Sequence, residues 1–415
     1  MHNRFWLTIV VMVAIDFYFF QAISTLLPNS SSTRRTTVTY IYWGFTLFSV
    51  SLLLLNFVYP FREWNQYIRI YVVAFVVGAL ICKFVGSIFL LTDDVIRLFR
   101  WLGTYIMPSS APDPTHPHSI SRLKFISQVA VVMAGLPYIS LIFGMVKSGF
   151  DIRVKKINLN LANLPDAFNG LKIVQISDIH CGSFTSTAHF ENAVKIIQAE
   201  KPDLIFFTGD LVNDVCSETD AFVQTFSKIQ APMGVYSTLG NHDYGDYANW
   251  PNETEKANNL KALKLRHAEF GWRLLNNEHV PLQIGADKIA LIGIENWGAR
   301  GFAKYGNLKK AHTGTEGYPV KLLLSHDPSH WEAEVLREFP DIDVAFAGHT
   351  HGMQFGIEIP GFKWSPVQYI YKQWAGLYQV GKQMLYVNRG LGFIGYPGRV
   401  GILPEISLFE LSNKV

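Results

Sequence analysis

Cysteine is scarce: Cys82, Cys181 and Cys216 are the only thiols among 415 residues. Their number is odd and no Cys-x-x-Cys spacing occurs, which argues against a disulfide framework and against a thiolate zinc site. Cys181 follows His180 directly, yet it reads as a small apolar filler. Charge is sparse as well. Charged residues make up 17% of the chain, the formal net charge is +3, and no basic run interleaves with aromatics, so no nucleic-acid partner is expected. No internal repeat marks the C-terminal half, which argues against a solenoid or propeller. What is abundant is apolar surface: 49% of the residues are hydrophobic and 14% aromatic, high for a wholly soluble chain.

That surplus is concentrated near the N-terminus. Residues 5–27, 38–61, 70–92 and 125–146 are nearly continuous apolar runs, each long enough for the roughly 20 residues a helix needs to cross a bilayer. The fourth contains Gly135 and Pro137 but keeps spanning length. Residues 1–149 therefore read as an all-α membrane region with about four transmembrane helices. Asp16 and Lys83 fall inside the spans, where they call for an internal partner or a lipid headgroup. Residues 92–118 hold Asp93, Asp94, Arg97 and Arg100 and then a polar, Pro-rich stretch, residues 107–118, that reads as an exposed loop; its His116 and His118 form a His-x-His pair that no apolar strand carries inward. Basic residues near the span ends divide seven against six between the two sides, so the positive-inside rule selects no orientation. The stretch Ser121-Arg122-Leu123-Lys124-Phe125-Ile126 resembles a twin-arginine export signal with Leu123 in place of the second arginine, a pointer toward an extracytoplasmic domain. The expected location is a multi-pass protein of a bacterial cell membrane.

From residue 150 to 415 the pattern changes to short apolar strands, helical periodicity and Gly/Pro punctuation, the β-α-β rhythm of a layered α/β domain. Several strands end in polar residues: Asp178 and His180; Asp210; Asn241, His242 and Asp243; His326; and the tetrad Gly348-His349-Thr350-His351. Functional groups gather at the carboxyl ends of strands in such sheets, so these residues can converge on one crevice. Two carboxylates, an amide oxygen and four imidazoles exceed the needs of one ion. They suit two divalent ions sharing a bridging carboxylate, roughly 3.5–4 Å apart, which stabilise in-line displacement at phosphorus. Gly209, Gly240 and Gly348 allow the sharp turns such a site needs. Asn241 is a neutral oxygen ligand, which leaves His242 free as a general acid, with Asp243 placed to orient it and keep it protonated. Residues 244–272 are expected to form a flap beside the site.

Asp-x-His, Gly-Asp, Gly-Asn-His-Asp, a lone His and Gly-His-x-His, in this order along alternating strands and helices, resemble the calcineurin-like metallophosphoesterases. The likeness covers residues 171–411. It implies a four-layer α/β/β/α sandwich, with Asp178, His180 and His351 on one metal, Asp210 bridging, Asn241, His326 and His349 on the other, and His242 as the catalytic histidine. The closing stretch, Asn388-Arg389-Gly390-Leu391-Gly392 through Arg399 and Pro404-Glu405-Ile406, resembles a membrane-associated bacterial branch of YaeI and YkuE type. Some members of that branch act on lipid-linked or nucleotide-sugar pyrophosphates and on phosphomonoesters. Arg399 and Arg389 are candidate phosphate clamps, or else ion-pair partners.

Together these features lead us to expect a membrane-anchored hydrolase of phosphomonoesters, phosphodiesters or pyrophosphates, lipid-linked ones included. Its cofactors would be two ions drawn from Mn, Fe, Zn or Mg, since mixed N/O ligands accept all four. The partners are then the phosphate ester, a phospholipid or lipid precursor among the options, and the bilayer. The alternative is a non-catalytic membrane sensor or scaffold on the same fold. Such a protein would show a broken ligand set, and here every motif position is filled.

Overall fold

A computed structural model of the chain describes residues 2–27, 31–106 and 122–414. The Pro-rich stretch with His116 and His118 lies outside the described residues. Two compact units are present, Met1–Phe143 and Gly144–Val415.

The first unit is built from helices α1 (His2–Leu26), α2 (Ser32–Val58), α3 (Gln66–Ile106) and α4 (Arg122–Val146), all four long and apolar enough to cross a membrane. Ser31 caps α2 by accepting from the Arg34 N–H at 3.3 Å. Helix α3 extends beyond the expected end of the third span at Thr92, as far as Ile106, because no Gly or Pro interrupts residues 92–102 and the charges find partners on the spot. Asp93, 3% exposed, is bound by Arg97 at i+4 and by Arg122 Nε at 2.8 Å. Within the spans, Asp16 and Lys83 pair with each other at 2.5 Å, and Asp16 also accepts from the Tyr42 and Thr46 hydroxyls.

In the second unit the order is β1 (Arg153–Asn160), β2 (Lys172–Ile176), α5 (Ala188–Glu200), β3 (Leu204–Phe207), α6 (Val223–Phe226), β4 (Val235–Ser237), α7 (Glu253–Glu269) and β5 (Arg273–Leu274). Then follow β6 (Glu278–Ile284), β7 (Asp287–Gly293), β8 (Lys321–Leu324), β9 (Val344–Ala347), β10 (Ile357–Ile359), β11 (Phe362–Trp364), β12 (Gly376–Val380), β13 (Gln383–Val387) and β14 (Glu405–Ser412). One six-stranded sheet runs β1-β14-β2-β3-β4-β5 and a second runs β12-β13-β9-β8-β7-β6, with β10 and β11 as a separate hairpin. Both sheets are mixed: β2, β3, β4 and β5 are parallel, as are β7, β8, β9 and β13, while β14–β2, β6–β7 and β12–β13 are antiparallel.

Side-chain alternation along these strands builds the layers. Ile173 on β2 and Val344 and Phe346 on β9 point into the core between the sheets. Val174 turns instead toward Phe190 and Val194 of α5 and Leu263 of α7, and Ala345 and Ala347 turn toward Leu308, Trp331 and Val335 on the far face. Strands buried on both faces read as unbroken apolar runs, which is why β3 and β9 carry no polar residue. The Phe346 ring meets Phe206 and Phe409 at centroid distances of 5.1 Å across the central core, each such burial contributing about 1.5–3 kcal/mol. The result is a four-layer α/β/β/α sandwich. The expected flap is not one: α7 lies on the outer face of the first sheet, with Leu263 and His267 fully buried and His267 Nδ1 3.0 Å from Ser237 Oγ.

Candidate active site

The parallel strands β2, β3 and β4 of one sheet and β8 and β9 of the other deliver their carboxyl ends to one place. Five polar residues there adopt left-handed backbone: Asp178 (φ 51°), His180 (46°), Asp210 (59°), His349 (72°) and His351 (51°). For non-glycine residues this costs about 1–3 kcal/mol each and persists only where the surroundings enforce it. Here they do. Asp178 N–H donates to Gly209 O at 2.9 Å, His180 N–H to Asp210 O at 3.1 Å, and His349 N–H to the Asp178 carboxylate at 2.9 Å. Gly348 is required for the close approach, since a Cβ there would run into Ser177 Oγ and the Asp178 carboxylate.

The side chains form two groups whose donor atoms lie within 4.8 Å of one another: Asp178, His180 and His351, and Asp210, His326 and His349. In the first, His351 Nε2 stands 3.2 Å from Asp178 Oδ1 and 3.0 Å from His180 Nε2. In the second, His326 Nε2 stands 3.2 Å from Asp210 Oδ2, and His349 Nδ1 stands 2.8 Å from Asn241 Oδ1. Asp210 Oδ2 is also 3.5 Å from His180 Nε2, so one carboxylate faces both groups. The two rings of the Gly348 tetrad part company, His349 joining one group and His351 the other.

The proton inventory shows that these residues fit cations. His326 Nδ1–H donates to Thr208 O at 2.7 Å, so Nε2, which faces the Asp210 carboxylate at 3.2 Å, is the nitrogen left to exchange its proton for a metal. Burial opposes a charged His326, yet the Asp210 and Asp178 carboxylates outweigh it and raise its pKa to about 10; the pocket draws positive charge. His349 places Nε2 2.8 Å from the Tyr371 hydroxyl and turns Nδ1 inward beside Asn241 Oδ1. Asn241 in turn gives its amide hydrogens to Tyr247 Oη at 3.0 Å, which orients its oxygen toward the site. Carboxylate oxygens, an amide oxygen and imidazole nitrogens form the donor set of borderline divalent ions.

Three residues need different roles from those expected. Asp243 does not orient His242: its buried carboxylate accepts the backbone N–H groups of Asp210, Leu211 and Gly240 at 2.8–2.9 Å and braces the two loops that carry Asp210 and Asn241. Burial, with the Asp210 charge adding to it, pushes the Asp243 pKa up to about 7. His242 is oriented by the carbonyl of Asn213, 2.7 Å from its Nδ1, while its ring lies 4.6 Å from that of Tyr247. Arg399 is no exposed clamp, being 0% exposed with its guanidinium donating to the carbonyls of Gly392 and His351. Arg389 is 5% exposed and ion-paired with Glu405 and Glu358. Both are held by the interior, because a buried guanidinium needs its full set of acceptors.

Other neighbours carry no motif. Tyr371 comes from a turn between β11 and β12, and Asn213 acts through its backbone, so neither leaves a signal in sequence. Asp327 does leave one: it follows His326 directly, and its Oδ2 lies 3.6 Å from His349 Nε2. At the rim, exposed Arg300 stacks over the Tyr371 ring at 5.3 Å, a free-standing guanidinium beside the second group. We therefore expect Arg300→Ala to raise KM for a phosphate ester about tenfold with an unchanged unfolding midpoint, and Arg399→Ala to destabilise the unit by about 3–5 kcal/mol. Thermal melts and initial rates on the two variants decide; the reverse pattern would restore Arg399 as the clamp.

Both halves of the chain match known families. Residues 3–149 match the model of a probable calcineurin-like phosphoesterase transmembrane domain, and residues 171–353 that of the calcineurin-like phosphoesterases. A transmembrane protein with metallophosphoesterase domain from Danio rerio is 30% identical over 66% of this chain, which spans 60% of that protein's length. The UDP-2,3-diacylglucosamine pyrophosphatase LpxG of Chlamydia trachomatis is 30% identical over 58% of this chain and 84% of its own. Phosphodiesterase YaeI of Escherichia coli is 28% identical over 70% of this chain and 99% of its own. Four spanning helices, a sandwich with its polar groups at the strand ends and these likenesses lead to one conclusion: the chain is a multi-pass membrane protein that belongs to the calcineurin-like phosphoesterase family.

Proposed function

We propose that the chain is a dinuclear-metal hydrolase of lipid-linked phosphate esters or pyrophosphates, using Asp178, His180 and His351 at one metal, Asn241, His326 and His349 at the other, and Asp210 between them. The observation that carries this is the single Asp210 carboxylate set between the Nε2 atoms of His180 and His326, at 3.5 and 3.2 Å. When bound, two divalent ions (Mn, Fe, Zn or Mg) activate water and neutralise charge on the phosphoryl oxygens. The protein does the positioning. Backbone bonds to Asp243 hold the Asp210 and Asn241 loops in register, Tyr371 and Thr208 orient the rings of His349 and His326, and Arg300 meets phosphate oxygens at the rim. In its protonated form His242 keeps Nδ1–H on Asn213 O and presents Nε2–H to the leaving oxygen. A lipid-linked substrate is supported by the spanning helices and by the name of the Chlamydia relative, a diacylglucosamine pyrophosphatase.

Exhaustive chelation is expected to abolish hydrolysis of a nitrophenyl phosphate ester, and added Mn or Zn to restore it. Because His326 must shed its proton to bind metal, the metal concentration needed for half activity should rise as pH falls below about 10. Full turnover in protein shown to contain no metal would sink the proposal.

A further inference from the structure

The β10–β11 hairpin turns an apolar face outward. Its register pairs Ile357 with Trp364, Glu358 with Lys363 and Ile359 with Phe362, so alternate residues divide between two faces. On the charged face Glu358 is half-buried and accepts from Arg389 at 2.9 Å and Lys155 at 3.0 Å, while Lys363 stays exposed and donates to Ala375 O at 2.5 Å. On the apolar face Trp364 is half-buried, and Ile357 is 49%, Ile359 58% and Phe362 52% exposed. A hairpin on a water-facing surface shows the opposite pattern. The exposure extends through the following turn, where Tyr369 is 77% and Ile370 45% exposed, to Leu377 and Val380. Of the thirteen large apolar side chains left exposed among the described residues of the second unit, eight fall within residues 353–380. Scattered exposed apolar residues are ordinary, but a contiguous set is an interaction surface.

Composition indicates the partner. Residues 353–382 contain Lys363, Lys372 and Lys382 but a single acid, Glu358, which is already paired with Arg389 and Lys155. Lysines among Trp, Tyr and branched aliphatics are the makeup of segments that lie at the boundary of a bilayer, the ammonium groups among anionic headgroups and the rings below them. A second copy of the same basic ledge would meet it with like charge. The ledge also adjoins the chemistry: Tyr371, next to Ile370, touches His349, and Met353, 49% exposed, stands two residues beyond His351.

We infer that residues 353–380 form a membrane-docking ledge that enters the interface of an anionic bilayer beside the metal site, so that a lipid-borne phosphate is met at the depth where it resides. The docking itself does not depend on the proposed hydrolysis. The full chain carrying a nitroxide at Ile359→Cys, with Ala286→Cys in the β6–β7 turn as a reference, is reconstituted in vesicles of phosphatidylcholine and phosphatidylglycerol; the native cysteines are buried. At residue 359, oxygen should relax the label more than a water-soluble nickel chelate does, with the order reversed at 286. Chelate access at 359 equal to that at 286 overturns the inference, as does dipolar broadening that places a second copy on the ledge. A kinetic arm uses Ile359→Asp with Phe362→Asp. KM for a vesicle-borne lipid phosphate ester should rise about tenfold or more while nitrophenyl phosphate turnover is unchanged; an equal loss on both substrates counts against docking. If the unmodified chain hydrolyses neither substrate, the catalytic reading fails and the label still decides the ledge.

Discussion

Asp210→Asn is expected to lower hydrolysis about 10³-fold or more and to leave the protein folded. Asp210 is 1% exposed and its Oδ2 faces imidazole nitrogens in both groups, at 3.5 Å from His180 and 3.2 Å from His326. An amide of the same shape removes the negative charge and can turn N–H bonds toward those nitrogens. The attraction that draws cations to the crevice is thereby weakened at its centre. The fold should survive because the backbone N–H of residue 210 still donates to Asp243 at 2.9 Å, and the new side chain keeps an oxygen for the His242 N–H that Asp210 Oδ1 now accepts at 2.8 Å. Metal analysis of the purified variant should show fewer ions per chain. A variant with full metal content and full turnover would remove Asp210 from the bridging position.

His242→Ala should behave differently, with a rate loss of about 10²–10⁴ and the metal content intact, since the histidine belongs to neither donor group. The loss should depend on the leaving group. A nitrophenolate departs readily without a proton, whereas an alkoxide needs one, so an alkyl phosphate ester should suffer more than the nitrophenyl ester. Equal losses on both would mean that His242 positions the substrate rather than donating a proton. Its anchor is the Asn213 carbonyl, and a backbone group cannot be altered by changing the side chain. The leaving-group comparison is therefore the more informative test.

Much of this protein is written in local sequence. Four apolar runs are long enough to span a bilayer whatever they pack against, because lipid itself acts as their solvent. Strands such as β3 and β9, buried on both faces, announce themselves as apolar runs, and the polar residues just past them mark strand ends where a parallel sheet gathers its functional groups. Donor residue types and their order are local facts as well. Who holds whom is not. Asp243 stands beside His242 in sequence, yet its oxygens go to backbone N–H groups, two of them more than thirty residues away, because a buried carboxylate settles where unpaired donors converge. Arg389 and Arg399 look alike from the chain, but the interior claims both through Glu405, Glu358 and the carbonyls of Gly392 and His351. Tyr371 reaches His349 from a turn with no motif, and the hairpin's outward apolar face shows itself only once the register sorts its residues. Sequence by itself determined the membrane spans, the layered fold and which residues are candidate donors, since each follows from length, periodicity or residue type. Only the tertiary structure decided which side chains support those donors and which remain at the surface, because hydrogen-bond partners are chosen through space, across segments far apart along the chain.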